Sequence, residues 1–189
     1  MKYFTISVIA LTGLLLLSIQ VSFGDDDHDE RGEYSYALLK RKPGVAPVEN
    51  ALYQEECSSC HFPYQPGLLP ENSWRKIMSG LDDHFGENAE LGDVDRKAIE
   101  QYLVANSADK SGLRRSKRIM RSVSASDAPL RITELPYFKH EHHEIPKRLV
   151  KDNPKVGSFS QCDSCHQDAK QGYFSENRIT IPGYGRWDD

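Results

Sequence analysis

The sequence predicts a mainly α-helical chain with much irregular structure, built as two units that each carry one Cys-x-x-Cys-His pentapeptide. Three observations lead there. Apolar residues recur at helical spacing in two stretches of the first half, one around Trp74 and one around Ile99. Residues 129–189 hold Pro129, Pro136, Pro146, Pro154 and Pro182, which exclude long helices. The pentapeptides, Cys57-Ser58-Ser59-Cys60-His61 and Cys162-Asp163-Ser164-Cys165-His166, use every cysteine of the chain.

Residues 1–24 read as a secretory signal peptide. Lys2 is followed by an apolar run to about Val21, and Ser22-Phe23-Gly24 offers small residues for cleavage. An uncleaved anchor needs roughly 20 apolar residues, and Thr12, Ser18 and Gln20 interrupt this run. The segment lacks cysteine, which excludes a lipid-anchored form. No other stretch is apolar enough to span a bilayer, so a soluble mature chain is expected, without stable membrane insertion after cleavage. Loss of Lys2 takes the formal charge from −4 to −5, a balance that gives no reason to expect a nucleic-acid partner.

Residues 25–47 open on the acidic block Asp25-Asp26-Asp27-His28-Asp29-Glu30 and continue as a surface segment. Residues 48–106 form the first unit. A short helix over 48–56, with Leu52 and Tyr53 as its apolar contacts, delivers the chain into Cys57. A second helix starts with Ser73 as N-cap and places Trp74, Ile77, Met78 and Leu81 on one face. A third starts with Asp93 as N-cap and buries Ile99, Tyr102 and Leu103. Residues 107–128 carry Lys110, Arg114, Arg115, Lys117, Arg118 and Arg121 among Ser and Gly, and read as a solvated basic linker. The competing reading of that run is a docking patch for an acidic partner. Residues 129–189 form a loop-rich second unit.

The pentapeptide is the attachment site of c-type haem: two cysteines bond the porphyrin vinyl groups and the adjacent His ligates the iron. Disulfides are the ordinary fate of paired cysteines in exported proteins, and two Cys pairs are also a zinc pattern. The His directly after each second cysteine favours haem over both. Two covalently bound haems are therefore expected, held by Cys57, Cys60, Cys162 and Cys165, with His61 and His166 as proximal ligands. Helix, haem motif, loop and two helices is also the element order of a class I cytochrome c domain, an analogy of fold only.

The opposite iron faces decide function, because a filled face restricts the iron to electron transfer. For the first haem the candidates are His84, on a polar turn beside Gly86, and Met78, within an apolar helix face where core packing is the commoner fate; His84 is favoured. Met120 sits among cations without an apolar setting and is discounted. For the second haem His140, His142 and His143 crowd one segment, and spacing does not choose among them. Tyr53, Phe62, Trp74, Phe85 and Phe174 are expected to line the haem crevices.

With these residues in view the chain resembles the bacterial dihaem cytochrome c family over roughly Tyr53 to Pro182. The resemblance rests on both pentapeptides, on Trp74 with Met78, on residues 81–89 (LDDHFGENA), and on Ile99 with Tyr102-Leu103. It continues through Arg131-Ile132-Thr133, His142-His143-Glu144-Ile145-Pro146, Gly172-Tyr173-Phe174 and Ile179-Thr180-Ile181-Pro182. It implies periplasmic proteins with bis-His, low-spin haems, hence His84 on the first iron and His142, four residues before Pro146, on the second. It also implies redox partners: a small oxygen-binding monohaem cytochrome c and a membrane b-type cytochrome. The expected function is that of an electron shuttle rather than an enzyme. The alternatives are a peroxidase-like dihaem enzyme, for which the chain is short, and a subunit of a larger reductase complex.

Overall fold

The computed structural model describes residues 42–187. The expected signal peptide and most of the acidic segment lie outside these residues. Helix α1 (Ala51–Cys57) begins where the Asn50 side chain accepts a hydrogen bond from the Tyr53 amide at 2.8 Å. That cap starts the helix three residues later than the periodicity implies. It buries Tyr53, whose hydroxyl donates to the Tyr64 carbonyl at 2.9 Å, and the helix ends on the first cysteine.

Helix α2 (Glu71–Met78) starts two residues before Ser73. Ser73 is not its cap: the side chain lies buried inside the first turn, and Glu71 heads the helix instead. A carboxylate in that position meets the positive end of the helix dipole, and it also pairs with Arg75 at 2.8 Å and Lys110 at 3.1 Å. Helix α3 (Asp93–Ala105) has Gly92 at its cap position, with Asp93 as its first residue. The two helices make the most extensive helix pair among the described residues, closing Trp74, Met78, Ile99 and Leu103 into one core cluster. Trp74 satisfies its indole N–H on the Pro66 carbonyl at 2.8 Å.

The segment read as a solvated linker is a packed helix. Helix α4 (Arg114–Ser122) buries Ser116 and Ile119, with Met120 and Val123 packed at the edge of the same cluster. Positions 116, 119, 120 and 123 form one helical stripe. Ser116 closes it onto the preceding loop by donating to the Gly67 carbonyl at 2.8 Å. Met120 thus has the apolar setting the surrounding cations concealed.

Beyond α4 the elements are short. Helix α5 (Pro136–Glu141) carries proline at its first position, where no amide is needed. Helix α6 (Cys162–Cys165) is a single turn, and strands β1 (Thr180–Ile181) and β2 (Gly185–Arg186) form a small antiparallel hairpin. Gly172 adopts φ +80° and donates no side chain to a close crossing: its carbonyl accepts from the Gly44 amide at 2.8 Å, and a Cβ there would strike the Val45 carbonyl. Residues 42–187 cluster as one compact unit. Gln65, buried in the first half, donates its side-chain amide to the Ala169 carbonyl in the second. No helix among the described residues is long and apolar enough to cross a membrane.

Candidate functional site

At the first pentapeptide, the end of α1 and the following turn present Cys57, Cys60 and His61 in succession. None of the four cysteines is paired in a disulfide, and no cluster of three or more His, Cys, Asp or Glu suited to a metal ion occurs among the described residues. Burial pushes the Cys57 thiol up to about 11 and the Cys162 thiol up to about 12. His61 sets Nδ1 at 2.7 Å from the Phe62 carbonyl oxygen. A carbonyl only accepts, so Nδ1 carries the hydrogen and Nε2 the lone pair.

The ring of His84 faces that of His61, with centres 6.1 Å apart and planes 24° from parallel. A tight turn aims it. His84 and Glu87 exchange backbone hydrogen bonds, and between them Phe85 (φ +62°) and Gly86 (φ +101°) both take positive φ, as in a type I′ turn. Asp83 accepts from the Gly86 amide at 3.0 Å. The left-handed Phe85 is strained, and the Arg131 guanidinium lies over its ring at 4.0 Å, a cation–π contact that offsets part of that cost. Phe85 is 44 % exposed, so it caps the turn from outside rather than lining a crevice. Burial first, then His61 and Arg131, holds His84 below its usual protonation range and leaves it neutral, as a ligand must be.

Met78 is 3 % exposed and belongs to the core cluster with Trp74 and Ile99. Its side chain is spent on packing. Trp74 is likewise a core residue, while Phe62 is buried edge-on to Tyr64, ring centres 5.7 Å apart.

The second pentapeptide opens on a cleft that is partly open to solvent. Its walls are apolar, with Leu68, Ile119, Leu135, Phe138, Phe159 and Phe174 prominent, and Cys162, Cys165, His142 and His166 face into it. His142 and His166 stand with ring centres 6.1 Å apart and planes crossed at 78°. His142 terminates α5, turns Nδ1 to the Phe138 carbonyl at 2.9 Å, and stacks on the Phe138 ring at 3.9 Å. Its neighbours are directed elsewhere. His140 and His143 are exposed and stack on each other at 5.9 Å, and His143 reaches Glu144 at 3.6 Å. Burial, then His142 and Arg115, pushes His166 down to about 3.

An imidazole nitrogen meets a first-row metal at roughly 2 Å, with the ring centre about 1 Å behind it, so two rings on opposite faces of one ion lie about 6 Å apart. Both histidine pairs meet that spacing. The apolar cleft beside Cys162 and Cys165 suits a porphyrin plate, so the residues present fit c-type haem at both places.

Two residues beside the site, Arg115 and Tyr64, were given no role there by the sequence. Arg115, one cation in a run of six, is largely buried and lines the cleft with its guanidinium bonded to the Tyr137 hydroxyl and the Phe174 carbonyl, each at 2.8 Å. Its Nε atom is buried without a partner. Tyr64 stacks on His61, ring centres 5.1 Å apart, and reaches the second half through the Ser160 carbonyl at 2.9 Å. A stacked aromatic three residues after the ligand was the available signal for Tyr64; Arg115 had none.

Comparison with known proteins agrees with this geometry. Residues 53–174 match the family described as Dihaem cytochrome c. The structure of a diheme cytochrome type c from Shewanella baltica OS155 is similar at a TM-score of 0.62 and 44 % identity, covering 75 % of this chain and 99 % of that one. A diheme cytochrome c from Rhodobacter sphaeroides gives 0.62 and 44 %, covering 69 % of this chain and 100 % of its own. No curated protein matches the chain.

Proposed function

Because this chain belongs to the dihaem cytochrome c family and carries two covalently bound c-type haems, we propose that it is an exported electron shuttle with both irons held between two histidines. Membership supports a haem-based electron-transfer role. The observation that carries the finer reading is the shared 6.1 Å separation of His61 from His84 and of His142 from His166.

Each haem, when bound, supplies a one-electron iron couple. The chain's residues do the rest. Cys57 and Cys60 tether one porphyrin, and Cys162 and Cys165 the other. The Phe62 and Phe138 carbonyls hold the Nδ1 hydrogens of His61 and His142 and so direct Nε2 toward the metal. Two imidazoles favour lower potentials than the His/Met pair of monohaem cytochromes c. The rings are crossed at the second pair and near-parallel at the first, so irons bound there would have different ligand fields. With an imidazole on each face, neither iron would offer a substrate position, which separates this reading from a peroxidase-like enzyme.

The signal-like residues 1–24 support export to the periplasm. The partners proposed there are redox proteins, a small oxygen-binding monohaem cytochrome c and a membrane b-type cytochrome, on the strength of family resemblance alone. Optical and electron paramagnetic resonance spectra of the ferric holoprotein, with and without peroxide, test the reading. Two low-spin haems indifferent to peroxide are expected; a high-spin fraction that reacts rapidly with peroxide overturns it.

A further inference from the structure

A second, open cleft adjoins the apolar one and shares Phe138, His142, Ser158 and Phe159 with it. Its remaining lining is different in kind. Arg131, Lys139, Lys147 and Lys151 surround it and no carboxylate is among the lining residues. All four cations are exposed. The one ion pair at its rim joins Arg131 to Glu134 at 3.8 Å, and both of those side chains are about half exposed, so the pair neutralises little.

The placement of these charges follows from the fold. Lys139 rides on α5, three residues before His142, and the turn at Lys147–Leu149 brings Lys147 and Lys151 to the same opening. The segment around His84 is acidic in sequence: residues 82–95 hold Asp82, Asp83, Glu87, Glu90, Asp93 and Asp95 and no Lys or Arg. Of the four cleft cations, Arg131 also reaches that segment, over the Phe85 ring, whereas Lys139, Lys147 and Lys151 gather on the His142 side.

We propose that this basic cleft is the docking surface for an acidic redox partner, which it seats next to His142 and the second haem. Like-signed charges along a concave wall sum their fields and raise the local concentration of an anionic surface, while an acidic partner is repelled from the loop at 82–95. The partner is taken to be a redox protein on the electron-shuttle reading; the anion-binding surface itself stands without it.

The test uses two hexacyanometallate trianions on the full holoprotein. Inert, paramagnetic hexacyanochromate is expected to broaden the NMR signals of Lys139, Lys147, Lys151 and Ser160 and to leave residues 82–95 sharp. Ferricyanide takes one electron from the reduced protein to become ferrocyanide. In the triple variant K139Q/K147Q/K151Q that rate is expected to fall roughly tenfold at low ionic strength and to lose most of its salt dependence. The reaction with hexaammineruthenium, a cation, is expected to hold or rise. An unchanged absorption spectrum and melting temperature check that the variant is folded. If it is not, the single charge reversals K147E and K151E carry the same comparison. Broadening spread over the whole surface, or a ferricyanide rate and salt slope equal to wild type, overturns the proposal. A high-spin, peroxide-reactive ferric spectrum would instead remove the shuttle reading and leave the docking result intact.

Discussion

Tyr64 joins the two halves of the molecule. Its ring lies against His61 with centres 5.1 Å apart, and its hydroxyl donates to the Ser160 carbonyl at 2.9 Å, two residues before Cys162. Tyr64→Phe keeps the stack and removes the donor, so a stability loss of about 1 kcal/mol is expected in denaturant titration. The ligand spectra should not change.

The same residue sets an alkaline limit. Burial pushes the Tyr64 phenol from 10.0 up to about 12. Between these values the unfolded chain has lost the proton and the folded chain retains it. The stability tied to Tyr64 is therefore complete below pH 10 and is lost as pH rises towards 12. Stability curves of wild type and Tyr64→Phe measured from pH 9 to about pH 12 should converge and then cross as pH rises, because the energy tied to the raised phenol exceeds that of the one hydrogen bond.

Ligation separates from packing in three single substitutions. His84→Ala and His142→Ala should each convert one haem to a high-spin or solvent-ligated ferric spectrum. Met78→Ala should leave both spectra unaltered while costing about 2–4 kcal/mol, the usual result of emptying a buried methionine site. A spectral change at Met78→Ala with none at His84→Ala would reverse the first-site assignment.

Arg115 places a positive charge beside the second histidine pair, 16 % exposed and 3.9 Å from Glu141. A cation nearby opposes the extra positive charge of ferric iron. Arg115→Gln should accordingly lower the midpoint potential of the second haem and leave the first unmoved, as read by a redox titration followed by NMR. Loss of the charged hydrogen bonds to Tyr137 and Phe174 should also cost about 2–3 kcal/mol.

Gly172→Ala should destabilise the protein by about 2 kcal/mol or more, since φ +80° strains any side chain. The new methyl would also meet the Val45 carbonyl. Thermal unfolding measures this directly.

What the sequence revealed depended on how local each signal is. The pentapeptides are legible because attachment chemistry is written in five adjacent residues. His84 stands out as a lone histidine on a polar turn beside glycine, and the structure sets its ring facing that of His61. Among His140, His142 and His143 the sequence does not choose, because the distinction is made by where α5 ends and by the Phe138 carbonyl four residues upstream. Helices α2 and α3 follow from apolar spacing, yet their starts moved because Glu71 and Asp93 serve the helix dipole from inside the first turn. Helix α4 was hidden because its buried stripe includes a serine and its cations dominate the composition.

Leu68, Arg115 and Ile119 all precede residue 128 and all help to wall the cleft that opens beside Cys162 and Cys165. The rest of the lining, from Ile132 to Ile181, belongs to the C-terminal segment itself, so a fragment of that segment made alone would keep most of the cleft and leave open the side that these three residues close.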